Sequence, residues 1–314
     1  MELDESSERT ASPVVRSGVP STPLTTNRLF AYATAALLGA AVVFVLGVGT
    51  RWGQSFGDSA YAGRMRSSPE LRDGAREALD SVRAISMVLF GVAILAVALV
   101  RKRVRLAAVV LGVMVVSILG AELLKRGLPR PDYGIDPPGM TANWAPSGHS
   151  TVAITLVLCA LMVVPASARR VVSIIGALYV AVIASATLAA GWHRPTDAVM
   201  AAFWSFSIAT FGLAIDSLGR RTEGSPEPRT DDHDGSRHPV TVALAMLLPI
   251  AVLVGSFIAA SDPIVWTESS GRFVMASIVI DLVAAGSVLV FAALDRQSRS
   301  SRARSDRTTQ PANL

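Results

Sequence analysis

The sequence predicts an all-α fold, a polytopic membrane protein built as a helical bundle. Hydrophobic residues occupy 51% of the 314 positions, charged residues occupy only 17%, and the mean hydropathy is +0.46. A soluble domain of this size carries more surface charge. The apolar residues also fall into runs that approach or reach the roughly 20 helical residues needed to cross a hydrocarbon core. Runs of this length exclude the short strands of a closed barrel and leave the helical bundle.

Eight apolar runs, rich in Ala, Val, Leu and Gly, are the predicted membrane helices. In chain order they span residues 29–48, 85–100, 106–124, 150–165, 171–190, 197–215, 240–260 and 273–294. The polar segments around them have compositions that cannot bury a core. They predict a disordered N-terminal tail over 1–28, a polar linker over 219–239, and a basic tail over 295–314 that is disordered from residue 297.

Basic residues collect at alternate ends of these runs and predict the orientation in the membrane. They are Arg101, Lys102, Arg103 and Arg105 between the second and third runs, Arg169 and Arg170 between the fourth and fifth, Arg220 and Arg221 after the sixth, and several arginines after the eighth. The positive-inside rule places all of them in the cytoplasm, together with both termini and the linker. Segments 125–149 and 191–196 then share the extracytoplasmic face of a multi-pass plasma-membrane protein. Segment 51–83, where acids alternate with arginines, lies outside as well.

The formal net charge of +5 and the pI near 10 come from these scattered basic residues. They are not gathered on one folded face, so they do not predict nucleic-acid binding. The expected partners of the basic tail are anionic membrane lipids of the inner leaflet. The sequence does not predict an oligomeric state.

The segment Pro146-Ser147-Gly148-His149, at the start of the fourth run, contains the residue types of a phosphate pocket. Ser147 offers a hydroxyl, Gly148 lets the backbone approach an anion, and the following helix presents free amides to it. His149 is placed to act as a general acid. The alternative interpretation is an ordinary serine helix cap followed by a solvent-facing histidine.

A second histidine, His193, is followed four positions later by Asp197. On a helical turn this spacing brings the carboxylate to one ring nitrogen. The carboxylate fixes the tautomer and raises the basicity of the other nitrogen, as a histidine nucleophile requires. The alternative is a surface His–Asp pair at the membrane interface.

Three cations precede these motifs on the same predicted face: Lys125, Arg126 and Arg130. Pro129 and Pro131 restrict the backbone around Arg130, and arginine matches the geometry of a phosphate with paired hydrogen bonds. The alternative is three interface cations, but those belong more naturally on the cytoplasmic side. The sequence therefore favours a cationic cradle for phosphate.

In order and spacing, the three segments resemble the three signature motifs of the type 2 phosphatidic acid phosphatase superfamily, in its membrane-bound lipid phosphatase branch. The resemblance covers residues 29–218 and implies a six-helix catalytic core, to which residues 240–294 add two helices. It implies that His193 is the nucleophile that forms a phosphohistidine, that Asp197 orients it, and that His149 is the general acid. It also implies phosphate binding by Lys125, Arg130, Ser147 and Gly148, with no metal and no cofactor.

The chain departs from the family pattern at two positions. The pattern puts six residues between its lysine and the Arg-Pro pair, whereas four separate Lys125 from Arg130, and Leu123 stands at the expected position. The pattern also has an arginine six residues before the histidine, where this chain has Thr187. Thr187 is therefore expected to bind the phosphate through a neutral hydrogen bond only, about half as strong as a charge-assisted one. Arg126 and Arg194 are the candidates to replace the missing cation.

The expected function is hydrolysis of a lipid phosphate or diphosphate monoester at the extracytoplasmic face. One alternative is a membrane protein that binds lipid phosphates but has lost catalysis, as the missing arginine suggests. A second alternative is a transporter, suggested by Glu122 and Asp281 within predicted membrane helices.

Overall fold

The computed structural model describes residues 26–80, 82–136, 141–223 and 269–309, and within them it is helical with no strand. The helices are α1 (Thr26–Gly47), α2 (Arg51–Gly63), α3 (Pro69–Asp80), α4 (Ala84–Val100), α5 (Val104–Gly127), α6 (Gly148–Val163), α7 (Ala166–Ala189), α8 (Pro195–Glu223) and α9 (Ser269–Thr309). A 3-10 turn, Arg64–Arg66, follows α2.

Five of these helices, α1, α5, α7, α8 and α9, are long and apolar enough to cross a membrane. Helices α3 and α4, bent by 49° at their junction, together meet the same test, and α6 is a shorter apolar helix. The predicted fold class, a polytopic helical membrane bundle, is confirmed. Each predicted run falls on a helix except 240–260, which lies outside the described residues, as do 1–25 and 224–239.

The termini of the long helices meet at two ends of the bundle. At the basic end, defined by the termini beside Arg105 and Arg299, hydrogen bonds join helices that are distant in the chain. Arg105 Nη2 donates to the carbonyl of Ile215 at 2.8 Å, and Arg299 Nη2 donates to that of Met162 at 3.0 Å. At the opposite end, the site end, α1 finishes against the start of α8. The approach is so close that a Cβ on Gly47 would collide with Thr196 Cγ2.

Helix α6 is the centre of the bundle, and all of its residues from Ser150 onward are buried. Glycines let the neighbouring helices approach closely, as is common in membrane bundles, where packing and not the hydrophobic effect holds helices together. A Cβ on Gly176 of α7 would collide with Val157 Cγ1 of α6. A Cβ on Gly120 of α5 would lie 2.5 Å from the indole of Trp204 in α8.

Two sequence-based expectations differ from the structure. The sequence predicts a loop over 51–83, but α2, the 3-10 turn and α3 occupy this segment. It also predicts a disordered tail from residue 297, but α9 continues to Thr309. Buried Asp295 explains the continuation, because it accepts a hydrogen bond from Arg299 at 2.9 Å and lies 3.4 Å from Arg169 of α7. The amino-acid composition shows that such charged residues are present, but it does not show which residues they pair with.

Helix α9 packs against the same bundle as the three motifs. The rings of Phe291 in α9 and Phe206 in α8 meet edge to face, with centroids 6.3 Å apart. At the site end, a Cβ on Gly63 would collide with the carbonyl oxygen of Ser269. The last helix therefore supports α8 along its length and α2 at its end.

We predict that Gly176→Ala destabilises the bundle, whereas Gly112→Ala does not. The new methyl at position 176 would collide with Val157, a stiff β-branched side chain, and overpacking of this kind costs about 1–3 kcal/mol. A methyl group added at Gly112 on α5 would meet no atom within 4 Å, so alanine there adds only helix propensity. Thermal unfolding of the two variants in detergent, followed by circular dichroism, measures the difference. Equal melting temperatures would refute the close α6–α7 contact.

Candidate active site

The turn between α7 and α8 fixes the position of His193. Gly191 adopts a positive φ of 79°, and the amides of Trp192 and His193 donate to the carbonyl of Thr187 at 2.9 and 3.1 Å. With the Gly191 amide bonded to the carbonyl of Leu188, this is a Schellman cap, which favours glycine at the left-handed position. A side chain at 191 would also collide with Arg64. The cap therefore delivers His193 immediately before α8.

Asp197, in the first turn of α8, orients the ring of His193. Its Oδ2 lies 3.1 Å from His193 Nδ1 and accepts the backbone amide of Arg194, also at 3.1 Å. The second bond is the helix-capping contact of an acidic side chain three residues into a helix. Both side chains are buried, at 7% and 3% exposure. An ionised carboxylate requires the proton on Nδ1, which leaves Nε2 as the free nitrogen.

The start of α6 lies directly beside this turn. The amide of Ser147 donates to the backbone carbonyl of Asp197 at 2.8 Å. Ser147 caps α6, because its Oγ accepts the amide of Ser150 at 3.4 Å and the Ser150 hydroxyl at 3.1 Å. His149 follows in the first helical turn, and its ring lies against that of Trp192, with centroids 5.0 Å apart. The two histidine motifs therefore meet through backbone and ring contacts.

A cleft of about 320 Å³ opens at this junction and is lined by both polar and apolar residues. The lining residues are Met87, Ile118, Ala121, Glu122, Lys125, Trp144, Gly148, His149, Thr151, Val152 and His193. Lys125 Nζ donates to Glu122 Oε1 at 2.5 Å. The same ammonium would lie 3.1 Å from a Cβ on Gly148, so it reaches the amino terminus of α6. Lys125 thus joins both histidines in one cleft.

Behind the cleft, two arginines and two aspartates form a buried cluster, the Arg–Asp cluster of Asp58, Arg130, Asp136 and Arg194. Arg194 donates from Nε to Asp58 Oδ1 at 2.5 Å and from Nη2 to Asp136 Oδ1 at 3.0 Å. Arg130 bonds to both oxygens of Asp136 and lies 3.8 Å from Asp58. The arginine side chains are only 3% and 2% exposed. With both acids ionised, the cluster has no net charge.

The two acids of the cluster respond differently to their surroundings. Burial raises the pKa of Asp58 above its ordinary value, although the hydrogen bond and charge of Arg194 oppose the shift. Partial burial also acts to raise the pKa of Asp136, but the hydrogen bond and charge of Arg130 outweigh it, and that pKa is lowered. Asp136 is therefore the more firmly ionised of the two carboxyl groups.

The family model of the PAP2 superfamily matches residues 105–219. This part of the chain is therefore similar to the PAP2 superfamily. The match begins at the start of α5 and extends through α8, so it contains all three motif segments and every polar residue of the cleft. No curated protein and no solved structure matches the chain significantly.

The structure brings together only some of the residues that the PAP2 motifs predict for phosphate binding. Lys125 and Gly148 line the cleft with both histidines, so the shorter spacing of the first motif does not remove its lysine. Ser147 is buried as a helix cap. Arg130 and Arg194 are held in the Arg–Asp cluster and do not line the cleft.

Thr187 and Arg126 are not brought to the cleft. The Thr187 hydroxyl donates to the carbonyl of Ala184 at 2.7 Å inside α7, and the side chain is fully buried. Its contribution is instead the carbonyl that accepts the amide of His193. Arg126 lies on an exposed face of α5. Neither residue therefore supplies the cation that the family has six positions before the histidine.

Several residues that hold the site together were not predicted from the sequence. Asp58 and Asp136 complete the Arg–Asp cluster, and two side-chain amides fix the loop between α5 and α6. Gln54 Nε2 donates to the carbonyls of Val48 and Pro131, each at 2.8 Å. Asn143 donates to the carbonyl of Leu128 at 3.2 Å. The one available signal was the position of Asp136, six residues after Arg130 in a loop rich in proline.

We predict that Gly148→Ala weakens phosphate binding, whereas Gly127→Ala does not. The methyl group would lie 3.1 Å from Lys125 Nζ and would push this flexible cation away from the helix start. Loss of one charged hydrogen bond costs about 1.5 kcal/mol, roughly tenfold in affinity. Gly127, at the end of α5, has nothing within 4 Å of such a methyl. Calorimetric titration with inorganic phosphate measures the affinity, and an unchanged Kd for Gly148→Ala would remove Lys125 from the site.

Proposed function

We propose that the protein is an integral membrane phosphatase that hydrolyses a lipid phosphate or diphosphate monoester on the extracytoplasmic side through a phosphohistidine intermediate. The observation that carries this proposal is the meeting of His193, His149 and Lys125 in one cleft at the amino terminus of α6. A helix amino terminus and an ammonium group stabilise phosphate, and the two histidines supply a nucleophile and an acid. Similarity to the PAP2 superfamily supports phosphatase chemistry in general.

In the first half of the reaction, Nε2 of His193 attacks phosphorus while the bond from phosphorus to the leaving oxygen breaks. His149 donates its proton to that oxygen, and the lipid leaves as an alcohol, or as a monophosphate when the substrate is a diphosphate. Asp197 stabilises the positive charge that develops on the His193 ring, because its carboxylate accepts a hydrogen bond from Nδ1–H. Lys125 and the amides of α6 compensate the charge on the transferred phosphoryl oxygens.

In the second half, a water molecule attacks phosphorus of the phosphohistidine. His149, now neutral, accepts the proton of that water, and the bond between phosphorus and Nε2 breaks. Inorganic phosphate leaves, and both histidines return to their starting protonation states. Because the two rings line the same cleft, one histidine can act as acid in the first step and as base in the second.

The mixed lining of the cleft supports a lipid substrate. Met87 of α4 and Ile118 of α5 line it together with the two histidines. A phosphate head at the histidines would therefore have apolar side chains in the same cleft to contact the attached chain. Polyprenyl diphosphate, phosphatidate and phosphatidylglycerophosphate all have this form.

The arrangement of charge supports the orientation. The basic residues of segment 101–105 and of the α6–α7 junction lie at the end of the bundle opposite the cleft. The positive-inside rule assigns that end to the cytoplasm, so the cleft would face the other side.

The second candidate function is lipid-phosphate binding without catalysis. It is favoured by the neutral Arg–Asp cluster, because two arginines that could serve the phosphate are paired with aspartates. A transporter has less support, since Asp281 on α9 does not line the cleft and Glu122, which does, is paired with Lys125. Turnover decides between the first two functions.

We predict that His193→Ala abolishes phosphate release from lipid phosphates, by at least about a thousandfold, because the attacking nitrogen is lost. His149→Ala should slow release by about a hundredfold or more, most of all for poor leaving groups. Purified protein is assayed with a panel of lipid phosphates, and trapped phosphoenzyme is tested for loss of its phosphate in acid. His233→Ala, in the polar linker, is the matched control and should keep full activity. Phosphoenzyme retained by the His193 variant would refute the assignment.

Phosphate release should also persist in EDTA. In the described part of the chain, no three His, Cys, Asp or Glu side chains are grouped as a metal site, and the proposed steps need only histidines and fixed cations. Activity is measured before and after dialysis against chelator, then with magnesium added back. Loss in chelator with recovery in magnesium would contradict the histidine mechanism.

A further inference from the structure

The two arginines of the Arg–Asp cluster converge on a single oxygen atom. Nη2 of Arg130 and Nη2 of Arg194 both donate to Asp136 Oδ1. Arginines from different segments that share one anionic oxygen are a common arrangement for binding phosphate, which offers several oxygens to guanidinium donors. Here an internal carboxylate occupies the meeting point.

Both guanidinium groups also have a partner other than Asp136. Asp58 of α2 accepts Arg194 Nε, and the stem of Arg194 passes 3.7 Å from where Gly57 would carry a Cβ. Arg130 Nη2 lies 3.8 Å from Asp58 Oδ2, and Gln54 holds the neighbouring backbone through the carbonyl of Pro131. Asp58 would therefore remain as a counter-charge for both arginines without Asp136.

The cluster is also joined to the catalytic turn. Arg194 directly follows His193, and its amide donates to the same Asp197 oxygen that orients the histidine ring. Thr187, where the family has its arginine, donates inside α7 and supplies no charge. Arg194 is thus the cation of the third motif, and it lies next to the proposed nucleophile in the chain.

We propose that Arg130 and Arg194 form a two-arginine phosphate site whose occupant in the substrate-free protein is the carboxylate of Asp136, and that the substrate phosphate exchanges with this carboxylate. The proposal rests on the proposed function, since it specifies how the substrate is bound. Asp58 acts as a positioning residue for Arg194, and Arg194 replaces the arginine that is missing at position 187.

Exchange has a consequence for the class of substrate. A phosphate monoester carries up to two negative charges and a diphosphate carries two or more, whereas a carboxylate or a phosphodiester carries one. Only the former gains electrostatic energy when it replaces Asp136 between two guanidinium groups. The site would therefore select monoesters and diphosphates over diesters.

The test compares the binding of inorganic phosphate to the full-length protein in detergent and to Asp136→Asn, by calorimetric titration. Removal of the competing charge should tighten phosphate binding by at least about fivefold, the lower end of a typical coupling between two ligands. Asp132→Asn is the matched control, because it removes the same charge from an exposed position in the same loop, and its Kd should not change. Binding is measured without turnover, so a protein that lacks phosphatase activity would refute the proposed function and leave this result intact.

Equal or weaker phosphate binding by folded Asp136→Asn would overturn the proposed exchange and show that the cluster has only a structural role. A second variant, Arg194→Lys, decides the matter if Asp136→Asn does not fold. It keeps the charge but loses the paired donors of guanidinium, so phosphate should bind at least about fivefold more weakly. Arg76→Lys, in the exposed pair with Asp73, is its control and should bind phosphate as the parent does. Unchanged binding by Arg194→Lys would show that Arg194 is not a phosphate ligand.

Discussion

The geometry of the candidate site depends on Asp197, which holds two helix termini together with one side chain and one peptide group. Its Oδ2 fixes the ring of His193 and caps α8, while its backbone carbonyl accepts the amide of Ser147 at the start of α6. The amino termini of α6 and α8 are therefore locked side by side, and both present partial positive charge at the same place. Any sliding of one helix along the other would separate His149 from His193.

A second set of contacts brings the first motif to this point. The described residues of the loop between α5 and α6, 128–136 and 141–147, lie outside helices, so their buried backbone groups need partners from elsewhere. Gln54 and Asn143 supply them: Gln54 bonds to the carbonyl of Pro131, and Asn143 bonds to those of Leu128 and Ala145. These neutral amides hold the loop against α2 and α5 without adding charge beside the candidate site. Side-chain hydrogen bonds as well as helix packing therefore hold the site end together.

The parts of the molecule that were predictable from the sequence depend on local patterns. Long apolar runs indicated the helices, and the spacing of His193 and Asp197 indicated a contact that the structure contains. The Arg–Asp cluster was not predictable, because Asp58 lies 136 positions from Arg194 and no periodicity connects them. Thr187 illustrates a different limit, since its side chain was the expected ligand whereas its carbonyl contributes the cap. Residue type alone does not reveal which atom of a residue acts.

The pairing of charges at the site end follows from the cost of burial. A guanidinium removed from water without a partner costs several kcal/mol, so a site set into a membrane bundle needs a counter-charge whenever substrate is absent. Asp58 and Asp136 meet this need for Arg130 and Arg194, and Glu122 meets it for Lys125. At the proposed phosphate site, the affinity for phosphate would then be a difference between two occupied states and not the sum of the contacts to phosphate. The carboxylates that stabilise the empty site would therefore set how strongly a phosphate must bind to replace them.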